Sequence, residues 1–185
     1  MYQTKLIKDT FPKSIKSQCQ IASKFGVDLA HLSLEKKNDI LYYFQLSLFN
    51  SLDLLLKANQ KDIDLATQSK LDLSTIDAIR LTKKDVELFI KSIHELIELD
   101  DPVGHIIEQW DRPNGLSISK ICVPLGTIGI ITEARPKLTF ISIAQAIKSG
   151  NSLVICNLLG DFNTTSFIVS LIHTVLESFQ ISKEC

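Results

Sequence analysis

What this sequence of 185 residues lacks narrows its possibilities first. It has four cysteines, Cys19, Cys122, Cys156 and Cys185, spread far apart, with no CxxC pair and no histidine at metal-ligand spacing. That pattern argues against a metal site and against a secreted disulfide framework, and it suits a reducing compartment. It lacks an excess of either charge: 20 Lys and Arg against 21 Asp and Glu leave a net charge of −1. Such a balance gives no electrostatic case for nucleic acid or an anionic membrane. The longest charge-free runs, such as Phe162 to Leu176, fall short of the ~18 to 20 residues a membrane span needs. The opening residues, Met1 to Asp9, contain no apolar run of the kind a signal peptide carries. Internal repeats and low-complexity stretches are absent as well. The expectation is a cytoplasmic globular protein with no nucleic acid, membrane or metal partner, and its 45% hydrophobic content is ordinary for one.

What is present begins as nearly continuous helix. Ile15, Cys19, Ala22 and Phe25 recur at helical spacing across Ser14 to Leu29, with Gly26 as a stop. Ser33 reads as the N-cap of a long helix to about Ala58. Its stripe of Ile40, Leu41, Phe44, Leu48, Leu52 and Leu55, widened by Tyr43, Phe49 and Leu56, needs cover on more than one side. Asn59 is expected to cap a short helix to Ser69, and Ser74 another through Arg80. Thr82 opens a further helix that buries Val86, Phe89, Ile90, Ile93, Leu96 and Ile97 and leaves Lys83, Lys84, Glu87, Lys91 and Glu95 wet. Asp101-Pro102 and Gly104 end it, because proline disfavours helical geometry in the residue before it.

After Gly104 the pattern changes. Ile106 to Trp110 and Leu116 to Val123 read as strands joined by an Asn114-Gly115 turn, the second strand alternating as if one face were wet. Such a hairpin serves either as an oligomerisation arm or as a plain surface element. Thr127 to Ile131 is apolar without alternation, the mark of a strand covered on both faces. Leu138 to Lys148 has helical spacing, Gly150-Asn151 reverses the chain, and Leu153 to Cys156 is a second apolar strand. Asn163 or Thr164 caps a last helix through Phe179. This is one βαβα unit, an arrangement that often holds a nucleotide at the strand ends. His31, His94, His105 and His173 are scattered, and Trp110 and the Tyr42-Tyr43 pair read as packing residues.

The ordered motifs KANQKDIDLA, DPVG, EQWDRPNGLSISKICVPLG, TIGIITEARPKLT and KSGN make the chain resemble gamma-glutamyl phosphate reductase. That family, also called glutamate-5-semialdehyde dehydrogenase, belongs to the aldehyde dehydrogenase superfamily, and the resemblance covers its N-terminal part. It implies an α/β fold: a helical N-terminal layer over residues 1–104, a β-hairpin arm over 105–123, and an incomplete Rossmann-like βαβα unit over 124–185. It also implies the family reaction in proline biosynthesis, an NADPH-dependent reduction of gamma-glutamyl phosphate to the semialdehyde. In that reaction a cysteine thiolate attacks the acyl phosphate, phosphate leaves, and hydride reduces the thioester. The cofactor-binding positions it points to are Glu133, Ala134, Arg135, Pro136 and Asn157. Partners would be a second copy or a full-length homologue, met through the hairpin and an exposed sheet edge.

The chain departs from the family at telling places. The family's catalytic cysteine lies downstream of the matched region, and none of the four cysteines here stands in for it, so no catalytic residue is assigned. After the second strand the family places a basic residue and two glycines. Here the run is Cys156-Asn157-Leu158-Leu159-Gly160-Asp161, with no cation and an added carboxylate. Lys137 stands where the family carries Asn or Asp. Arg135 is kept, either to meet a phosphate or to close the strand end and pair with Glu133. The expectation is a truncated reductase-like protein that is inactive as this chain. The alternatives are the N-terminal segment of a working reductase and a non-catalytic assembly or regulatory partner.

Overall fold

The structure, a computed structural model, describes residues 15–157 and 160–185. The readings placed on Met1 to Asp9, Ser14, Leu158 and Leu159 lie outside the described residues. Five helices lead: α1 (Ile15–Ala30), α2 (Leu34–Asn50), α3 (Leu52–Gln68), α4 (Leu73–Ile79) and α5 (Lys83–Ile97). A hairpin follows, β1 (Ile106–Asp111) and β2 (Ser117–Ile121), and then β3 (Thr127–Thr132), α6 (Pro136–Lys148), β4 (Ser152–Asn157) and α7 (Phe162–Ser178).

Local chemistry explains most starts. The Ser33 side chain accepts from the Lys36 N–H at 3.3 Å and begins α2. Thr82 and Asp85 form a reciprocal capping box on α5. Elsewhere tertiary demand overrules the sequence pattern. Gly26 does not stop α1; it lies inside the helix, where its missing side chain lets α1 approach β4. The long helix expected from Ser33 to Ala58 is two helices that share Ser51 as a cap. The break lets α2 lie against α5, α6 and α7 while α3 turns toward α4 and α7.

Asn59 is not a cap but a buried residue of α3. Its amide donates to the Ile79 carbonyl at 2.9 Å and to Thr164 Oγ1 at 3.1 Å, and its Oδ1 accepts from the Leu81 N–H at 2.8 Å. Likewise Asp72, not Ser74, caps α4; the Ser74 hydroxyl donates to the Asp72 carboxylate.

One core joins the helical layer to the βαβα unit. Ile40, Leu41, Phe44 and Leu48 of α2 are fully buried against α5, α6 and α7, so the stripe has the cover on more than one side that it needs. The Phe89 and Phe140 rings stack with centroids 4.6 Å apart. Two lysines enter this interior with partners. Lys37 Nζ pairs with Asp101 at 2.9 Å, and Lys148 Nζ donates to Asn38 Oδ1 at 2.9 Å and to the Ile97 carbonyl at 3.1 Å. The large apolar residues of α2 left outside are Tyr42, Tyr43, Leu46 and Phe49. The tyrosines are therefore largely exposed, and Tyr43 meets the rings of Tyr42 and Phe179 edge-on, each with centroids 5.7 Å away.

The hairpin is antiparallel, with Trp110 opposite Ile118 and an irregularity between Ile106 and Glu108. Both its faces are open rather than one, and Trp110 sits on it exposed. β3 and β4 pair in parallel, Thr127 opposite Ser152 through Thr132 opposite Asn157. Among the described residues they form a two-stranded sheet in which each strand has a neighbour on one side. β3 is not covered on both faces, since Ile131 is 72% exposed. Full cover of a parallel strand takes layers on both faces, and this one lacks a layer over Ile131.

Candidate functional site at the carboxyl ends of the parallel strands

The ends of β3 and β4 converge with the first turns of α6 and α7. β3 runs out at Thr132 into Glu133-Ala134-Arg135, and Pro136 occupies the first turn of α6, where its missing N–H costs nothing. Glu133 and Arg135 are exposed, and Ala134 and Pro136 are buried. Arg135 takes the N-cap position of α6, and among the described residues neither it nor Glu133 forms an ion pair.

The turn after β3 is closed by the turn after β4. Ala134 adopts φ +51 and Gly160 φ +88. A side chain at Gly160 would stand 2.8 Å from Ile79 Cδ1 and 3.4 Å from the Ala134 Cβ. Glycine is needed there for both reasons.

Beneath the two turns lies a buried polar network. Asn157, at the end of β4, donates through Nδ2 to Asp161 Oδ1 and to Thr165 Oγ1, and the Thr165 and Thr139 hydroxyls are 3.4 Å apart. Asp161 is fully buried. Burial pushes its pKa up to about 6, the charge of Asp62 adds to the rise, and the Asn157 amide opposes it. Thr132 Oγ1, Asn157 Oδ1 and Asp161 Oδ2 have no hydrogen-bond partner among the described residues.

Asp62 completes the arrangement from α3. Its carboxylate accepts from the Asn163 and Thr164 N–H groups at 3.0 and 2.7 Å, from Asn163 Nδ2 at 2.7 Å and from Thr164 Oγ1 at 2.6 Å. The expected caps Asn163 and Thr164 are thus donors to a distant acid, and α7 starts from Asp161 without a side-chain cap of its own. Lys137 is committed elsewhere, 2.7 Å from Asp85. Burial works to raise the Asp85 pKa, but Lys137 and the Thr82 hydroxyl and N–H outweigh it and hold the group below its ordinary value.

Nucleotide phosphates need free N–H groups at a helix start, a nearby cation and open backbone. Here the N–H groups of Asn163 and Thr164 serve Asp62, a buried carboxylate stands at the end of β4, and the two turns pack on each other. The residues of this crevice do not fit a dinucleotide phosphate. Cys156 is in β4 opposite Ile131, and the Cys185 thiol is pushed up to about 11 by burial. A nucleophilic cysteine requires the opposite shift. Sequence reasoning named Asn157 and Ala134, which do come together at the strand ends. It missed Asp62, Thr139 and Thr165, whose roles depend on contacts between elements far apart in the chain.

No family model matches the chain. Individual proteins do. The gamma-glutamyl phosphate reductase of Geobacillus sp. (strain WCH70) is 35% identical over 165 residues, which is 89% of this chain and 38% of the relative. That of Bartonella tribocorum is 39% identical over 136 residues, 74% of this chain and 33% of the relative. The crystal structure of gamma-glutamyl phosphate reductase from Thermotoga maritima superposes with a TM-score of 0.88 at 29% identity, covering 93% of this chain and 42% of that one. Over the length it spans, this chain is similar to gamma-glutamyl phosphate reductase.

It covers about two-fifths of the length of the reductases it matches and corresponds to their N-terminal part. The wider fold is that of aldehyde dehydrogenases. A glyceraldehyde-3-phosphate dehydrogenase from Methanocaldococcus jannaschii, solved with NADP, has a TM-score of 0.66 at 22% identity and covers 91% of this chain and 34% of its own. A nucleotide cofactor is therefore a property found within this fold. Among the described residues no helix is long and apolar enough to cross a membrane.

Proposed function

We propose that this chain is a non-catalytic member of the reductase fold, acting through assembly with a second copy or with a full-length homologue in the cytoplasm. The observation that supports it is the crevice at Asn157 and Asp161. Its helix-start donors are spent on Asp62 and its interior on a side-chain network, so the place for a nucleotide has become part of the core. The family reaction, reduction of gamma-glutamyl phosphate with NADPH, is on this reading not carried out by the chain itself. NADPH fluorescence, titrated with protein, tests it. No binding up to millimolar concentration is the expected result, and micromolar binding overturns the reading.

A second reading rests on the retained shape and on Arg135, which stays exposed beside the crevice. On it, the chain is the leading segment of a working reductase and holds the cofactor once the remaining length is supplied. Mixing it with the complementary part of a related reductase separates the two. Recovered, thiol-dependent turnover favours the second reading, and turnover no greater than that of the complementary part alone favours the first.

A further inference from the structure

We propose that Asn114, at the tip of the hairpin, is a site of spontaneous deamidation: its side chain closes on the Gly115 nitrogen, releases ammonia and leaves aspartate or isoaspartate at position 114. Asn114-Gly115 is the one Asn-Gly step in the sequence. The following residue matters because its nitrogen is the nucleophile, and glycine has no side chain to crowd the attack. Nothing lies within 4 Å of where a Gly115 Cβ would stand, and residues 111–117 are all exposed.

The turn brings the reacting groups together. Residues 113–115 form a three-residue loop that ends on a left-handed glycine, Gly115 having φ +84. The Arg112 N–H closes it by donating to the Leu116 carbonyl at 2.8 Å. Asn114 Oδ1 accepts from the Leu116 N–H at 3.2 Å, a bond that folds the side chain back over the peptide between them and carries Cγ toward the Gly115 nitrogen. The same N–H stands at the oxygen that gains charge as the nitrogen attacks, where a donor stabilises it. One contact opposes the attack. The Gly115 N–H donates to the Arg112 carbonyl at 2.9 Å and must let go first, an opening that costs little at an exposed loop tip.

The chemistry balances with water as its co-reactant. The Gly115 nitrogen gives its proton to solvent and bonds Asn114 Cγ; the Cγ–Nδ2 bond breaks, and Nδ2 leaves as ammonia with a proton from water. Water then opens the five-membered imide at either carbonyl. Opening at the backbone carbonyl sends the main chain through the former side chain and lengthens it by a methylene, which is isoaspartate. Other asparagines are held off this path. Asn50 is also exposed, but the next nitrogen, of Ser51, is bonded to the Ser47 carbonyl at 3.0 Å in the helical ladder. Asn151 is buried, with Oδ1 on the Gly126 N–H at 2.8 Å and Nδ2 on Ser149 Oγ at 2.7 Å.

The whole chain, incubated at pH 8 and mapped by mass spectrometry with isoaspartate-specific fragmentation, tests this. Position 114 is expected to convert before any other asparagine, with isoaspartate among the products, at a rate within about tenfold of that in guanidinium. The added methylene should then speed amide exchange at Arg112 and Gly115, and Asn114→Gln should abolish both changes. Another asparagine converting first overturns the proposal. Aspartate without isoaspartate means direct hydrolysis and overturns the ring closure. A native chain that keeps Asn114 intact while the unfolded chain converts fully shows that the turn protects the site, and overturns it too.

Discussion

Gly26 and Ser152 touch where α1 crosses the sheet, and a methyl group on Gly26 would stand 2.6 Å from both the Cβ and the Oγ of Ser152. Ser152 is held in place by its hydroxyl, 2.9 Å from Thr127 Oγ1, so it has no free direction of retreat. Gly26→Ala should therefore destabilise the fold although alanine is the better helix former by about 1 kcal/mol. Overpacking costs about 1–3 kcal/mol, and the net loss should appear as a lower midpoint in urea. Adding Ser152→Gly should restore part of that loss. If Gly26→Ala alone raises the midpoint, α1 does not sit on β4 as described.

Asp62 holds the start of α7 from α3 and is itself buried. Asp62→Ala leaves the Asn163 and Thr164 N–H groups without an acceptor, and a loss of about 2–4 kcal/mol is expected, above that of an ordinary cap. Asp62→Asn keeps one acceptor oxygen and should lose less. Equal stability of all three proteins, by thermal or urea unfolding, would remove Asp62 from this role.

Asp161 predicts a pH dependence of definite sign. Its folded pKa is raised from 3.8 to about 6, so folding favours the neutral acid. The stabilisation from that group is fully present below about pH 4 and is lost as pH rises through about 6. Asp161→Asn retains an acceptor for Asn157 and removes the titration. It should be more stable than the parent at pH 8 by up to about 3 kcal/mol and equal to it near pH 4. A constant difference at both pH values would contradict the assignment.

Cys185 should be a slow thiol. With its pKa near 11, its thiolate fraction at pH 8 is roughly a hundredfold below that of an ordinary cysteine. Labelling with a disulfide reagent in the folded state should leave Cys185 last, and urea should abolish the difference. Rapid modification of Cys185 at pH 7 would reopen the question of a reactive thiol in this chain.

Much of the fold was legible before any coordinates. The stripes of α2, α5 and α7, the Thr82 cap, the Asn114-Gly115 turn and the strand–helix–strand order all follow from spacing within a few turns of chain. The misreadings share one cause. Gly26, Asn59 and Ser74 carry strong local signals for a stop or a cap, yet Gly26 and Asn59 were claimed by contacts with Ser152, Ile79 and Thr164 that no window of sequence contains. Ser74 lost its cap to Asp72, two residues earlier, whose carboxylate accepts from Thr75.

The sequence by itself determined the family likeness, the element order and the altered run from Asn157 to Asp161, because those are matters of residue identity and short-range spacing. Only the tertiary structure decided what that altered run does. It joined Asn157 to Asp161 and brought Asp62 across to the start of α7. Burial and hydrogen-bond satisfaction are set by which distant elements meet, and that meeting is what turned a strand-end crevice into core.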